Sequence, residues 1–280
     1  MPRTRSAAGR GAGLSVPLFP VESDEEPLLA RMKRGLAGMG SALAGRAQLM
    51  RGTAPAEAHV PPLRLFLAEL GAVAEPLRIR FRPDLPIRPA QRPRVVILIP
   101  GFATGPTRMR YMAEQLERAG HTVKRWGLGH NMGPTPETLD LIAARVEQVR
   151  ERYGQQVVLV GWSLGGVFAR EVAKRVPQHV AKVVTMGSPF SHTPYSNNIW
   201  RTYQVVAGHR VEAPPVAADP RTKPPVETVA FWSPRDGVIS RRAASGTADE
   251  RDRAVALRCT HLTFPTSPDC IMALVRELES

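Results

Sequence analysis

The sequence has only two cysteines, Cys259 and Cys270, in 280 residues, which excludes a disulfide scaffold; neither has a His or Cys at zinc-finger spacing. It has no run of 18 apolar residues, so no transmembrane helix is expected. Residues 1–20 contain Arg3, Arg5 and Arg10 but no compact apolar stretch before a small-residue cleavage site, so a secretory signal is not expected and the chain reads as cytoplasmic. Lysine is scarce, at 5 of 38 basic residues, and no block of five or more Lys/Arg occurs. The net charge of +13 is spread evenly, with 14 basic and 8 acidic side chains in residues 1–92 and 24 and 17 in residues 93–280. A dedicated nucleic-acid patch is therefore not expected. No repeat of 20 to 50 residues is visible.

What is present divides into three parts. Residues 1–60 read as an extension in which Leu29, Met32, Leu36, Met39, Leu43, Ala47 and Met50 recur at helical steps among basic residues. Gly35, Gly38, Gly40 and Gly45 weaken that helix by roughly 1 kcal/mol each. It either packs on the protein itself or makes peripheral contact with an anionic membrane. Residues 61–93 read as a helix, about 62–74, and a Pro/Arg-rich connector, with Leu77 to Phe81 as a candidate strand.

From residue 94 the pattern changes. Apolar runs at 94–100, 121–126, 156–161, 181–186, 226–232 and 254–259 read as buried strands, and helical stretches lie at about 107–119, 136–153, 164–176 and 267–278. Such alternation predicts an α/β fold, a mostly parallel sheet covered on both faces. Ligands in such sheets sit beyond the carboxyl ends of the strands.

After the third run comes Gly161-Trp162-Ser163-Leu164-Gly165-Gly166, a G-x-S-x-G pattern between a strand and a helix. A serine on that turn has its hydroxyl pushed out of the sheet, and the small residues let the neighbouring backbones approach. Its hydroxyl needs a base, and the base an orienting acid. The fifth run leads to Asp236 and the sixth to His261, so Ser163, Asp236 and His261 follow in the order nucleophile, acid, base. Asp249 and Asp252 are rival acids, and His192 a rival base. Ile99-Pro100-Gly101-Phe102 follows the first run, where the Phe102 N–H with that of Leu164 would form an oxyanion hole.

Residues 94–280 resemble the α/β-hydrolase superfamily, and within it the bacterial esterases and lipases, in LIPGF (98–102), GLGHNMGPT (127–135), GWSLGG (161–166), GSPF (187–190), SPRDGVIS (233–240) and THLTF (260–264). The resemblance implies an acyl-enzyme mechanism with Ser163 as nucleophile, His261 as general base then acid, and Asp236 as its orienter. Pro100 stands where many members have His, and two leading antiparallel strands of the full fold are not evident. Residues 190–225, with seven prolines counting Pro189 and a helical face of Ile199, Tyr203 and Val206 behind Asn197, would form a cap over an apolar acyl pocket. Gly101, Trp162, Phe190 and Trp200 are candidate substrate contacts, and Asn131 and Gly133 candidate cleft-wall residues. No metal or cofactor is called for. The reading is a hydrolase of carboxylic esters with lipid or other apolar acyl groups. An acyltransferase using the same triad, or a binding protein retaining the fold without catalysis, stays open.

Overall fold

The computed structural model describes residues 44–280, which form one compact unit; residues 1–43, and with them most of the basic amphipathic segment at Leu29 to Arg51, lie outside the described residues. Residues 44–93 belong to that same unit. Leu49 O accepts from Gln204 Nε2 at 2.8 Å, and Gly52 lies against the Trp200 ring.

Six strands form the sheet: β1 (Val95–Ile99), β2 (Thr122–Arg125), β3 (Val157–Trp162), β4 (Val180–Met186), β5 (Glu227–Trp232) and β6 (Arg253–Ala256). Their order is β2-β1-β3-β4-β5-β6, and all five pairings are parallel. β1 and β3 are buried at every position because the sheet is covered on both faces. Val96, Leu98, Val158 and Val160 face one core with Met112 and Leu116 of α3 (Arg110–Arg118) and Ile271 and Leu274 of α8 (Pro268–Glu279). Val95, Ile97, Ile99 and Leu159 face the other with Ile142 and Val146 of α4 (Thr138–Tyr153) and Ala169 and Val172 of α5 (Leu164–Arg175). The runs expected as buried strands at 121–126 and 254–259 instead form the edge strands β2 and β6, whose side chains are partly or largely exposed, because among the described residues no strand pairs with their outer sides.

Before the sheet, the chain forms α1 (Leu63–Ala68), a 3₁₀ turn (Glu69–Ala74) and α2 (Glu75–Arg80). Leu77 to Phe81, a candidate strand by sequence, is therefore mostly helical. Pro76 takes an early position of α2, where its missing N–H costs no helical hydrogen bond. In the 190–225 insertion, α6 (Trp200–Ala207) forms where the spacing predicts it, and Asn197 Oδ1 accepts from Ile199 N at 3.1 Å. A five-residue helix, α7 (Arg241–Ser245), follows β5 and its loop. No described helix is long and apolar enough to cross a membrane.

Candidate active site

The strand order reverses at β1: the chain goes from β1 to β2 on one side and returns to place β3 on the other. That opens a crevice beyond the carboxyl ends of β1 and β3. Ile99 pairs with Gly161 in the register, so Pro100–Phe102 leaves the sheet directly beside Trp162–Leu164.

Ser163 sits at φ 55° and ψ −123°, a conformation that an L-residue reaches only under constraint. Its N–H donates to Met186 O at 2.8 Å and its carbonyl accepts from Gly166 N at 3.0 Å, which holds the turn from both sides. Close backbone approach explains the flanking glycines: a Cβ on Gly161 would lie 2.3 Å from Gly165 O, and one on Gly165 2.3 Å from Ile99 O. Ser163 is the N-cap of α5, yet its hydroxyl makes no capping hydrogen bond. A residue type that normally caps leaves its oxygen free here.

Asp236 and His261 are both buried and joined at 2.9 Å, Oδ2 to Nδ1. The other oxygen, Oδ1, accepts from Val238 N at 2.9 Å and Ile239 N at 2.7 Å. An ionised carboxylate only accepts, so Nδ1 carries the hydrogen and Nε2 is left as the acceptor. Gly187, in left-handed backbone at φ 54°, makes room for the pair: a Cβ there would lie 2.9 Å from Asp236 Oδ2 and 3.1 Å from His261 Nδ1. Among the described residues no hydrogen bond joins Ser163 Oγ to His261; such contacts commonly tighten only around substrate. The rivals are engaged elsewhere. Asp249 accepts from Thr247, Asp252 binds Lys223 and Thr228 N, and His192 bonds Ser191 Oγ without a carboxylate partner.

Neither the Phe102 nor the Leu164 N–H has a partner among the described residues. Leu164 opens α5, so its N–H is one of the helix's unpaired donors at the positive dipole end. The Phe102 loop is clamped by Asn131, which is almost fully buried. Its Nδ2 donates to Pro100 O at 2.8 Å, its carbonyl accepts from Ala103 N at 2.7 Å, and its N–H donates to Thr104 O at 2.8 Å. Asn131 thus holds the loop after β1 from behind, and Gly133 abuts Ala207 of α6.

An apolar cavity of about 370 Å³ opens at Ser163 and runs between Phe102, Leu164, Phe190, Trp200 and Tyr203. The cap supplies its far wall, including Val211, Pro214 and Val216. Arg170 of α5 pins that cap. Its guanidinium lies 4.2 Å from the Phe190 ring centroid and donates to the carbonyls of Pro220 at 2.7 Å and Glu250 at 2.8 Å. Burial lowers its pKa to about 10. Tyr203 packs on Phe102 with ring centroids 4.9 Å apart, and burial pushes its phenol above the ordinary range. Gly101 and Trp162, expected as substrate contacts, do not line the cavity. Gly101 packs under Ser163 Cβ, and Trp162 is in the core, donating from Nε1 to His261 O at 3.1 Å. The sheet faces alternate along β3, and Trp162 falls on the face away from the cavity. Cys259 and Cys270 are free and buried, and desolvation holds both thiols far above their ordinary pKa, so neither is a nucleophile.

Sequence reasoning missed Glu69. From the 3₁₀ turn ahead of α2 its buried carboxylate accepts three backbone hydrogen bonds: Oε1 from Gly237 N at 2.9 Å and His261 N at 2.7 Å, and Oε2 from Leu262 N at 2.9 Å. One side chain thereby ties together the loops carrying Asp236 and His261. The available signal was an acid inside the apolar stretch Leu63 to Ala74. Removing it leaves three enclosed donors, each costing about 1–3 kcal/mol. Glu69→Ala is expected to lower the denaturation midpoint clearly, and Glu69→Gln to lose less, because its amide oxygen still accepts while its NH₂ opposes one N–H. Urea unfolding of the three proteins checks the order.

Residues 94–205 match the family model described as the alpha/beta hydrolase fold. The fold is that of the α/β-hydrolases. The chain is 37% identical over 68 residues to a pimeloyl-[acyl-carrier protein] methyl ester esterase of Vibrio campbellii, a stretch of 24% of the chain and 26% of that relative. Among solved structures, lipase B of Aspergillus fumigatus superposes with a TM-score of 0.51 at 17% identity, over 67% of this chain and 53% of the lipase. A gene product of Listeria innocua gives a TM-score of 0.46 at 18% identity, over 68% of this chain and 95% of the other.

Proposed function

We propose that the protein is a serine hydrolase of carboxylic esters with apolar acyl groups. The observations that carry this reading are the buried Asp236–His261 pair, joined at 2.9 Å, and the constrained Ser163, whose uncapped hydroxyl lines an apolar cavity. Ser163 Oγ attacks the ester carbonyl while His261 Nε2 takes its proton, and the Phe102 and Leu164 N–H groups receive the oxyanion. Collapse of the tetrahedral species expels the alcohol, to which His261 returns the proton. Water activated by the same Nε2 then releases the acid and frees Ser163. Asp236 keeps the tautomer and stabilises the imidazolium throughout. The acyl chain occupies the cavity walled by Phe190, Trp200 and Tyr203. The Vibrio campbellii relative is a methyl ester esterase, which supports ester chemistry.

A p-nitrophenyl ester series tests the acyl side. kcat/KM is expected to rise from acetyl to longer chains, since each methylene taken up by an apolar pocket is worth about 1–3 kcal/mol. Val211→Trp, which fills part of the cap wall, is expected to cut turnover of the longer esters at least about tenfold while acetyl ester turnover holds. A chain-length profile that stays flat in both proteins would contradict the acyl assignment. An added acceptor alcohol that diverts most product to a new ester would instead favour acyl transfer.

A further inference from the structure

Ten large apolar side chains are exposed among the described residues, and seven of them lie within residues 60–81. Leu63, Leu67, Leu70, Val73, Leu77 and Phe81, each more than half exposed, recur at steps of three and four along α1, the 3₁₀ turn and α2. They therefore form one stripe, about 30 Å long from the rises of the two helix types. Isolated exposed leucines are ordinary, but a continuous stripe marks an interaction surface.

The ionic residues of the same segment are sorted by face. Glu69 and Glu75 are buried; Arg64, Arg78 and Arg80 are exposed. Glu75 is held by Arg82 at 2.8 Å, and Glu69 by the three backbone donors of the catalytic loops. Every exposed ionic side chain from 63 to 81 is thus a cation beside the apolar stripe, the composition that suits an anionic lipid surface and disfavours a cationic partner.

The strap is fixed to the site. A Cβ on Gly237, next to Asp236, would lie 2.2 Å from Leu65 O, and Pro61 O accepts from Asn198 Nδ2 at 3.0 Å just ahead of the cavity residues Ile199 and Trp200. The inner face of the strap is spent on these contacts, and the outer face is left apolar and cationic.

We propose that residues 63–81 are an interfacial strap that docks this enzyme on an anionic phospholipid bilayer, with Leu67, Leu70, Leu77 and Phe81 inserted and Arg64 and Arg80 on the headgroups. This gives the apolar-ester reading a surface on which to find its substrate, but it is tested without turnover.

Co-sedimentation of the full chain is measured with phosphatidylcholine vesicles, with and without phosphatidylglycerol. The wild-type protein is expected to bind the anionic vesicles, less tightly as salt rises. The variant L67Q/L70Q/L77Q/F81Q is expected to lose binding about tenfold or more, and R64Q/R80Q to lose the preference for anionic lipid, with thermal midpoints close to that of the wild type. Ser163→Ala must bind as the wild type does, so failure of the hydrolase reading leaves this result intact. Three outcomes overturn the proposal: no vesicle binding by the wild type, equal binding by the fourfold variant, which would place the contact elsewhere such as Leu29 to Arg51, or a wild-type dimer that the fourfold variant converts to monomer.

Discussion

Ser163→Ala is expected to lower ester turnover by about 10⁶, with substrate binding and fold retained. The size follows from the number of effects that pass through one oxygen. Without Oγ there is no nucleophile for His261 to activate, no acyl-enzyme, and no covalent bond to bring the carbonyl oxygen against the Phe102 and Leu164 N–H groups. The residual rate comes from those donors and from substrate positioning, which the substitution leaves in place. Fold retention follows from the structure: the hydroxyl does not cap α5, so alanine removes no hydrogen bond of the elbow. A fluorophosphonate probe gives the same answer chemically, by labelling wild-type Ser163 and nothing in the variant. Turnover by the alanine protein near the wild-type level would refute the nucleophile assignment outright.

Asp236→Asn is expected to lower turnover by about 10⁴ at neutral pH. The reason is the geometry of Oδ1, which accepts from both Val238 N and Ile239 N. Asparagine keeps these bonds only by directing its carbonyl oxygen at them, and that turns its NH₂ toward His261 Nδ1. An NH₂ facing Nδ1 selects the tautomer with hydrogen on Nε2, which then donates where catalysis needs an acceptor. The loss should therefore fall on kcat, with KM nearly unchanged and the fold intact. A variant whose KM rises while kcat holds would show that Asp236 shapes binding rather than the base.

The parts legible in the sequence were those governed by local rules. The runs at Val95–Ile99 and Val157–Trp162 read as strands because burial on both faces leaves no polar positions, and Ser163 read as an elbow because the glycines at 161 and 165 have a steric purpose within a few residues of it. Local rules also misled. Leu77 to Phe81 has the residue types of a strand, but it folds largely as helix, leaving Leu77 and Phe81 exposed. Trp162 looked like a substrate contact because it adjoins Ser163 in sequence, although alternation along β3 sends its side chain into the opposite layer.

Order along the chain was enough to nominate Ser163, Asp236 and His261, since a parallel sheet delivers each strand's end to the same rim. The tertiary structure alone decided how these groups are held. Asp236 meets His261 across 25 residues, Asn131 reaches Pro100 across 31, and Glu69 reaches His261 across 192. Such contacts leave no periodic trace, because each needs only one polar residue at a place fixed by the packing of other elements. The same holds for the strap: helical spacing shows that Leu63 to Phe81 has an apolar face, but only the docking of Glu69 onto the loops carrying Asp236 and His261 turns that stripe outward.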